Sequence, residues 1–256
     1  MPLAAPPPGL RRRPPGPTLG TRLHFAWVMA WATLCTLVFS LAVFVEARVR
    51  PRPETLYRWM VPWARVLLRG IGVRLLVEHR TTLDAGPVVF VANHQNVLDI
   101  PTAVAGLPLP FGFTPKAALR GMPLVGTLLE RTGNVFMDRS TARRAARSLV
   151  AARDAVRAGR TVLVYAEGER TWETALAPFL RGGFLLAVEA GVPLVPVAID
   201  GNVGVVDERR LASRPGVARL VVGPPIETQG CTRADVPGLM EDVRAWMARE
   251  LGLEGA

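Results

Sequence analysis

Leu23 to Val45 is an unbroken run of 23 residues with no acid, lysine or arginine and only His24 near its edge. As a helix it is long enough to cross a bilayer core of about 30 Å. The next apolar stretch, Leu56–Val77, is built differently. Arg58, Arg65 and Arg69 recur at seven and four residues and share one helical face, with Trp59, Trp63, Val66 and Leu67 largely away from them. That pattern predicts a helix lying along a membrane interface. From about residue 80 the pattern changes again. Pro87–Ala92, Thr161–Ala166, Pro193–Ile199 and Arg219–Val222 are short β-prone runs. Thr141–Ala158 is alanine-rich and closed by Gly159, Phe184–Ala190 stops at Gly191, and Pro237–Leu251 is amphipathic; all three read as helices. Strands interleaved with helices predict an α/β fold, a mixed sheet flanked by helices, preceded by a two-helix membrane anchor. The expected divisions are a basic disordered tail at residues 1–22, anchoring helices at 23–80 and an α/β domain at 81–256.

Charge changes the picture of the anchor. Residues 1–80 carry twelve arginines against three glutamates, whereas 81–256 hold 19 basic and 18 acidic residues. The excess therefore sits beside the apolar segments, and an anionic bilayer is a more economical partner than nucleic acid. Each such charge near the surface contributes about 1 kcal/mol. Arginines border both ends of the first apolar run, Arg11–Arg13 and Arg22 before it, Arg48, Arg50 and Arg52 after it. A simple span would strand one cluster on the wrong side, so a shallow hairpin entering and leaving on the cytoplasmic face is expected. This places the protein on the cytoplasmic face of a membrane, a bacterial inner membrane being the expected one.

Two cysteines and three histidines show neither a disulfide framework nor a metal-ligand spacing, so no metal site is expected. Lys116 is the only lysine among 31 basic residues.

Candidate chemistry begins at VANHQNVLDIP, where His94 comes just after a strand and Asp99 lies five residues on. On one α-helix these two would point about 140° apart, so they cooperate only if His94 sits in the turn and Asp99 opens the next element. Asn93 and Asn96 favour a turn, and Pro101 is compatible with a helix's first turn. A carboxylate on one ring nitrogen fixes the tautomer and leaves the other to take a proton from a hydroxyl. The alternative, a loop histidine beside a helix-capping aspartate, stays open on spacing alone.

Four further blocks stand in order along the chain. Lys116, Pro123 and Gly126 form the first; Gly133, Phe136, Asp138 and Arg139 the second. Glu167-Gly168-Glu169-Arg170 sits where a strand ends, and Val192–Val197 closes the series. With the Asn93-His94 to Asp99 block, this arrangement resembles the glycerolipid acyltransferase family, which includes the 1-acylglycerol-3-phosphate acyltransferases, over roughly residues 85 to 225. The resemblance implies that His94, oriented by Asp99, deprotonates the hydroxyl of a lysolipid. That oxygen then attacks the thioester of acyl-CoA or acyl carrier protein as co-substrate, with no other cofactor. It also implies that Lys116, Gly133, Arg139 and the turn of Glu167, Gly168 and Arg170 bind the acceptor's phosphate and glycerol part. Arginine offers a bidentate fork for phosphate and lysine a compact charge, which agrees.

Two departures bear on the acceptor. Tyr165-Ala166 precedes Glu167 where the family commonly has Phe-Pro, and Glu169 replaces a threonine, adding negative charge beside Arg170; Ala117-Ala118 stand where a glutamate commonly follows the lysine. The expected acceptor is 1-acylglycerol-3-phosphate. Another lysolipid is the nearest alternative, and a non-catalytic docking protein of the same fold a more distant one. No Gly-x-Ser-x-Gly elbow is present to support a serine hydrolase.

Overall fold

In the computed structural model the described residues are 16–49, 55–84, 86–115, 117–121, 134–138 and 140–253. The first apolar run forms α1 (Leu19–Val49), 31 residues long, so helix begins inside the stretch expected to be disordered tail. Residues 1–15 of that tail lie outside the described residues. Among the described residues α1 alone is long and apolar enough to cross a membrane.

The second stretch is where the expectation fails. Helix α2 covers Thr55–Gly70, and Val73–His79 is strand β1 of the sheet, not the end of an interfacial helix. The break lies at Gly72, whose φ of +75° is the left-handed conformation that glycine adopts without strain and that ends a helix. The sheet therefore starts inside the stretch assigned to the anchor.

α1 and α2 lie antiparallel, and indole groups lace them together. Trp27 Nε1 donates to the Gly70 carbonyl at 2.9 Å and Trp63 Nε1 to Thr36 Oγ1 at 3.3 Å. At the far end Trp59 Nε1 donates to Glu46 Oε2 at 2.6 Å, while Arg58 binds the other oxygen of the same carboxylate. Gly70 makes this approach possible, since a Cβ there would stand 2.0 Å from the Trp31 ring. Gly70→Val is expected to push α1 off α2 and destabilise the protein by about 1–3 kcal/mol, the usual range for overpacking. Thermal melting in detergent and faster proteolysis within α1 measure it; an unchanged melt would show that α1 is not docked here.

The remaining elements are β2 (Val89–Ala92), α3 (Asp99–Gly106), β3 (Gly112–Phe113), α4 (Ala142–Arg157), β4 (Val162–Tyr165), α5 (Gly182–Ala190), β5 (Leu194–Asp200), α6 (Asn202–Val205), β6 (Val206–Asp207), β7 (Ala212–Ser213), β8 (Gly216–Val222) and α7 (Val236–Glu250). Six strands form one mixed sheet in the order β1-β8-β5-β2-β4-β3, and β6 pairs with β7 apart from it. β2 runs parallel to both β4 and β5, and only the β5–β8 pairing in this sheet is antiparallel.

Strand alternation explains the layers. Val89 and Val91 pack with Val156 of α4, Phe184 of α5 and Met247 of α7. Phe90 and Ala92 face the other way, against Ala64 of α2 and Ala103 and Val104 of α3. All four β2 residues are fully buried, so β2 is the centre of the fold. The expected helices hold: Thr141 caps α4 by accepting the Arg144 N–H, Gly159 lies two residues past the end of α4 and Gly191 directly after α5, both glycines at positive φ.

Candidate active site

Three parallel strands, β2, β4 and β5, deliver their carboxyl ends to one place, the usual location of a site in an α/β sheet. The turn leaving β2 is held by its own polar side chains. Asn93 extends the pairing with β5, donating Nδ2 to the Ile199 carbonyl at 2.9 Å and accepting the Ile199 N–H at 2.7 Å. Asn96 donates to the carbonyls of Asn202 and Val206, each at 2.9 Å, and accepts the Leu98 N–H. These buried amides have their partners, so the turn between β2 and α3 has little freedom.

Asp99 opens α3, with Pro101 in its first turn. Its side chain is fully buried, and four donors converge on the carboxylate. Oδ2 accepts from His94 Nδ1 at 2.8 Å, from the Asn96 N–H at 2.9 Å and from the Gln95 N–H. Oδ1 accepts from Asn202 Nδ2 at 2.6 Å. A carboxylate oxygen only accepts here, so Nδ1 carries the proton and Nε2 is the basic nitrogen. Spacing alone leaves this choice open; the geometry joins His94 and Asp99 as a pair.

The imidazole lies flat on Tyr165 at the end of β4, with ring centroids 3.7 Å apart and planes inclined by 8°. The His94 backbone is held as well. Its N–H donates to Glu167 Oε2 at 2.6 Å, and its carbonyl accepts the Thr171 N–H at 2.9 Å. The Trp172 N–H donates to the Gln95 carbonyl, so the turns after β2 and β4 are stitched together. Gly168 makes the second turn at φ +77°. Burial pushes the Glu167 carboxyl up to about 7, opposed by the hydrogen bond from the His94 N–H. Burial likewise drives the Tyr165 hydroxyl well above its ordinary value, and the neighbouring Asp99 adds to this.

His94 borders a cavity of about 710 Å³. Tyr165, Gly168, Glu169 and Arg170 form part of its wall. Phe39 and Val43 of α1 with Trp59, Met60 and Trp63 of α2 form much of the rest. A polar reacting edge thus faces a largely apolar chamber completed by the two N-terminal helices.

Of the expected site residues, His94, Asp99, Glu167, Gly168 and Arg170 come together. Arg170 Nη1 is engaged by Glu208 Oε2 at 2.8 Å, and Glu169 is exposed on the cavity wall. Lys116, Gly133 and Arg139 lie outside the described residues, although Pro115 beside Lys116 and Asn134 beside Gly133 line the cavity. Asn202 and Glu208 escape a reading of the sequence. Asn202 has one usable signal, its position just after a β-prone run in Asp-Gly-Asn.

Known proteins resemble this chain in sequence and in fold. Residues 74–200 match the family model described as Acyltransferase. The chain is 30% identical over 181 residues to the 1-acyl-sn-glycerol-3-phosphate acyltransferase of Salmonella typhimurium, covering 69% of this chain and 73% of that protein. A protein of the same name from Chlamydomonas reinhardtii is 35% identical over 137 residues, 53% of this chain but only 41% of that protein. The crystal structure of the 1-acyl-sn-glycerophosphate acyltransferase PlsC from Thermotoga maritima superposes with a TM-score of 0.78 at 21% identity, covering 93% of this chain and 98% of that one. Fold and sequence together define an acyltransferase. The chain belongs to the glycerolipid acyltransferase family.

Proposed function

We propose that this protein transfers a fatty acyl group from acyl-CoA or acyl carrier protein to the free hydroxyl of a lysophospholipid, 1-acylglycerol-3-phosphate, giving phosphatidic acid at a membrane surface. The observation that carries the reading is the His94–Asp99 pair at the edge of an apolar cavity, in a chain so similar to proteins of that name. His94 Nε2 takes the hydroxyl proton as the oxygen forms the ester bond to the thioester carbonyl. The carbon–sulfur bond then breaks, and the departing thiolate takes that proton back from the imidazolium. Asp99 stabilises the imidazolium without taking the proton itself. Acyl chains occupy the apolar chamber. Arg170, with Lys116 and Arg139, meets the acceptor phosphate, and Gly133, Glu167 and Gly168 shape its seat.

Membrane attachment rests on α1. Leu23, Leu34, Leu37, Leu41 and Phe44 project outward while the opposite face packs on α2. A helix docked along its length in this way suits the shallow hairpin on the cytoplasmic face better than an independent span. The test is a product assay over a panel of lysolipid acceptors with each acyl donor, using detergent-purified protein and a His94→Ala control. Absence of diacyl product from every acceptor would end this reading.

One observation favours a second acceptor. Glu169 on the cavity wall places negative charge beside Arg170, where a dianionic phosphate would sit. A zwitterionic lysophospholipid tolerates that better. Glu169→Thr is expected to shift preference toward 1-acylglycerol-3-phosphate by roughly twofold to fivefold, the range of one exposed charge pair. If the wild type already prefers that acceptor and the variant changes nothing, the second reading falls.

A further inference from the structure

The short hairpin of β6 and β7, which the acyl-transfer mechanism does not use, sends one carboxylate to both halves of the site. Glu208 lies immediately after β6. Its Oε1 accepts the Val97 N–H at 2.6 Å, on the loop that carries His94, and its Oε2 accepts from Arg170 Nη1 at 2.8 Å, on the turn after β4. The Glu208 side chain is 22% exposed and that of Arg170 38%, so the pair is partly shielded from solvent, and Arg170 lines the cavity. The hairpin holding Glu208 is itself braced. Asp207 Oδ1 accepts the N–H groups of Arg209 and Arg210, both at 3.1 Å. The Arg209 guanidinium lies 4.8 Å from the centre of the Trp172 ring.

Arg170 is a long side chain with several rotamers, and an arginine free to sample them loses much of its value as a phosphate fork. Glu208 engages Nη1, and Arg170 also forms part of the cavity wall. The two site turns are already joined by backbone bonds from Thr171 and Trp172, so their joining does not depend on Glu208 alone, and Glu208→Gln keeps an oxygen for the Val97 N–H. What Glu208 adds is a fixed position for the Arg170 charge relative to the loop bearing His94.

We propose that Glu208 is a positioning residue for the acceptor. It holds the Arg170 guanidinium at a set distance from His94, so that an acceptor whose phosphate and hydroxyl match that distance is presented to the base. This rests on the acyltransferase reading and adds to it the residue that matches the acceptor to the base. A carboxylate this close also weakens the net attraction of Arg170 for phosphate. Fixing the fork outweighs that loss, because an untethered arginine incurs its ordering cost when the acceptor binds.

The experiment is steady-state kinetics of full-length, detergent-purified protein with 1-acylglycerol-3-phosphate and an acyl-CoA, comparing wild type, Glu208→Gln, Glu208→Asp, Arg170→Ala and the Glu208→Gln/Arg170→Ala double variant. Glu208→Gln is expected to raise KM for the acceptor about tenfold, leaving kcat within about threefold and KM for the donor unchanged. In the Arg170→Ala background the same substitution should add nothing, since the group it positions is gone. Glu208→Asp should recover part of the acceptor KM. An unchanged or lowered acceptor KM, an effect additive with Arg170→Ala, or a parallel loss in kcat and donor KM with a lowered melting temperature would each overturn the proposal. Wild-type protein inactive on every lysolipid acceptor would instead remove the acyltransferase reading, so the two failures are distinguishable.

Discussion

His94→Ala is expected to remove acyl transfer almost completely, lowering kcat by about 10²–10⁴-fold, the usual contribution of a positioned general base. The loss should appear with little change in melting temperature, because the ring is not what builds the turn. The His94 backbone N–H and carbonyl hold Glu167 and Thr171 whatever the side chain, and Asp99 keeps three of its four donors. Asp99→Asn separates geometry from charge. An asparagine oxygen can accept from His94 Nδ1 and the two N–H groups, while its amide faces Asn202, whose own amide can turn to offer its oxygen. The imidazole then stays in place without the negative charge that favours its protonated form. Activity should fall strongly while the fold is kept. Full activity in either variant would remove the His–Asp mechanism. A loss matched by unfolding of His94→Ala would point to a structural role for the histidine.

The parts of this site legible in the sequence are those that depend on neighbours in the chain. His94 and Asp99 are five residues apart, and the turn formers around them limit where their side chains meet. Glu167, Gly168 and Arg170 are legible because a β-prone run visibly ends there. Asn202 is 103 residues from Asp99, and only the parallel pairing of β2 with β5 brings them together. No local pattern encodes that neighbour. Glu208 is hidden for the same reason, its partners Val97 and Arg170 lying on two other loops. The error at β1 has a different origin. A stripe of arginines from Arg58 to Arg69 carries the helical periodicity forward, and Gly70-Ile71-Gly72 looks tolerable inside it. The glycines have tertiary tasks, one admitting the Trp31 ring and the other turning the chain at positive φ. Strand β3, two residues long, is too short to show any period.

Glu167→Gln is expected to stabilise the protein by about 3 kcal/mol above pH 8 and to leave it unchanged near pH 4. The Glu167 carboxyl is buried, and that burial raises it from 4.5 to about 7. Between those values the folded chain keeps a proton that the unfolded chain has released. Folding therefore binds protons in that window, and wild-type stability declines as pH rises from about 4.5 to about 7. Above it, the fold carries a buried negative charge with Asp99 close by. Glutamine has the same shape and still accepts the His94 N–H, so the turn is kept and only the charge is removed. The difference between variant and wild type should grow across the window and then level off, as measured by chemical denaturation at a series of pH values in one detergent. A difference that stays flat from pH 4 to pH 8 would show that Glu167 ionises as an ordinary surface carboxyl. The kinetic consequence concerns the same hydrogen bond. If Glu167 serves the site by gripping the backbone of His94, Glu167→Gln retains kcat within a few fold while gaining stability at neutral pH. A large kcat loss in a more stable protein would assign the carboxylate's charge to the reaction itself. The buried acid of this turn would then join His94 and Asp99 in the chemistry.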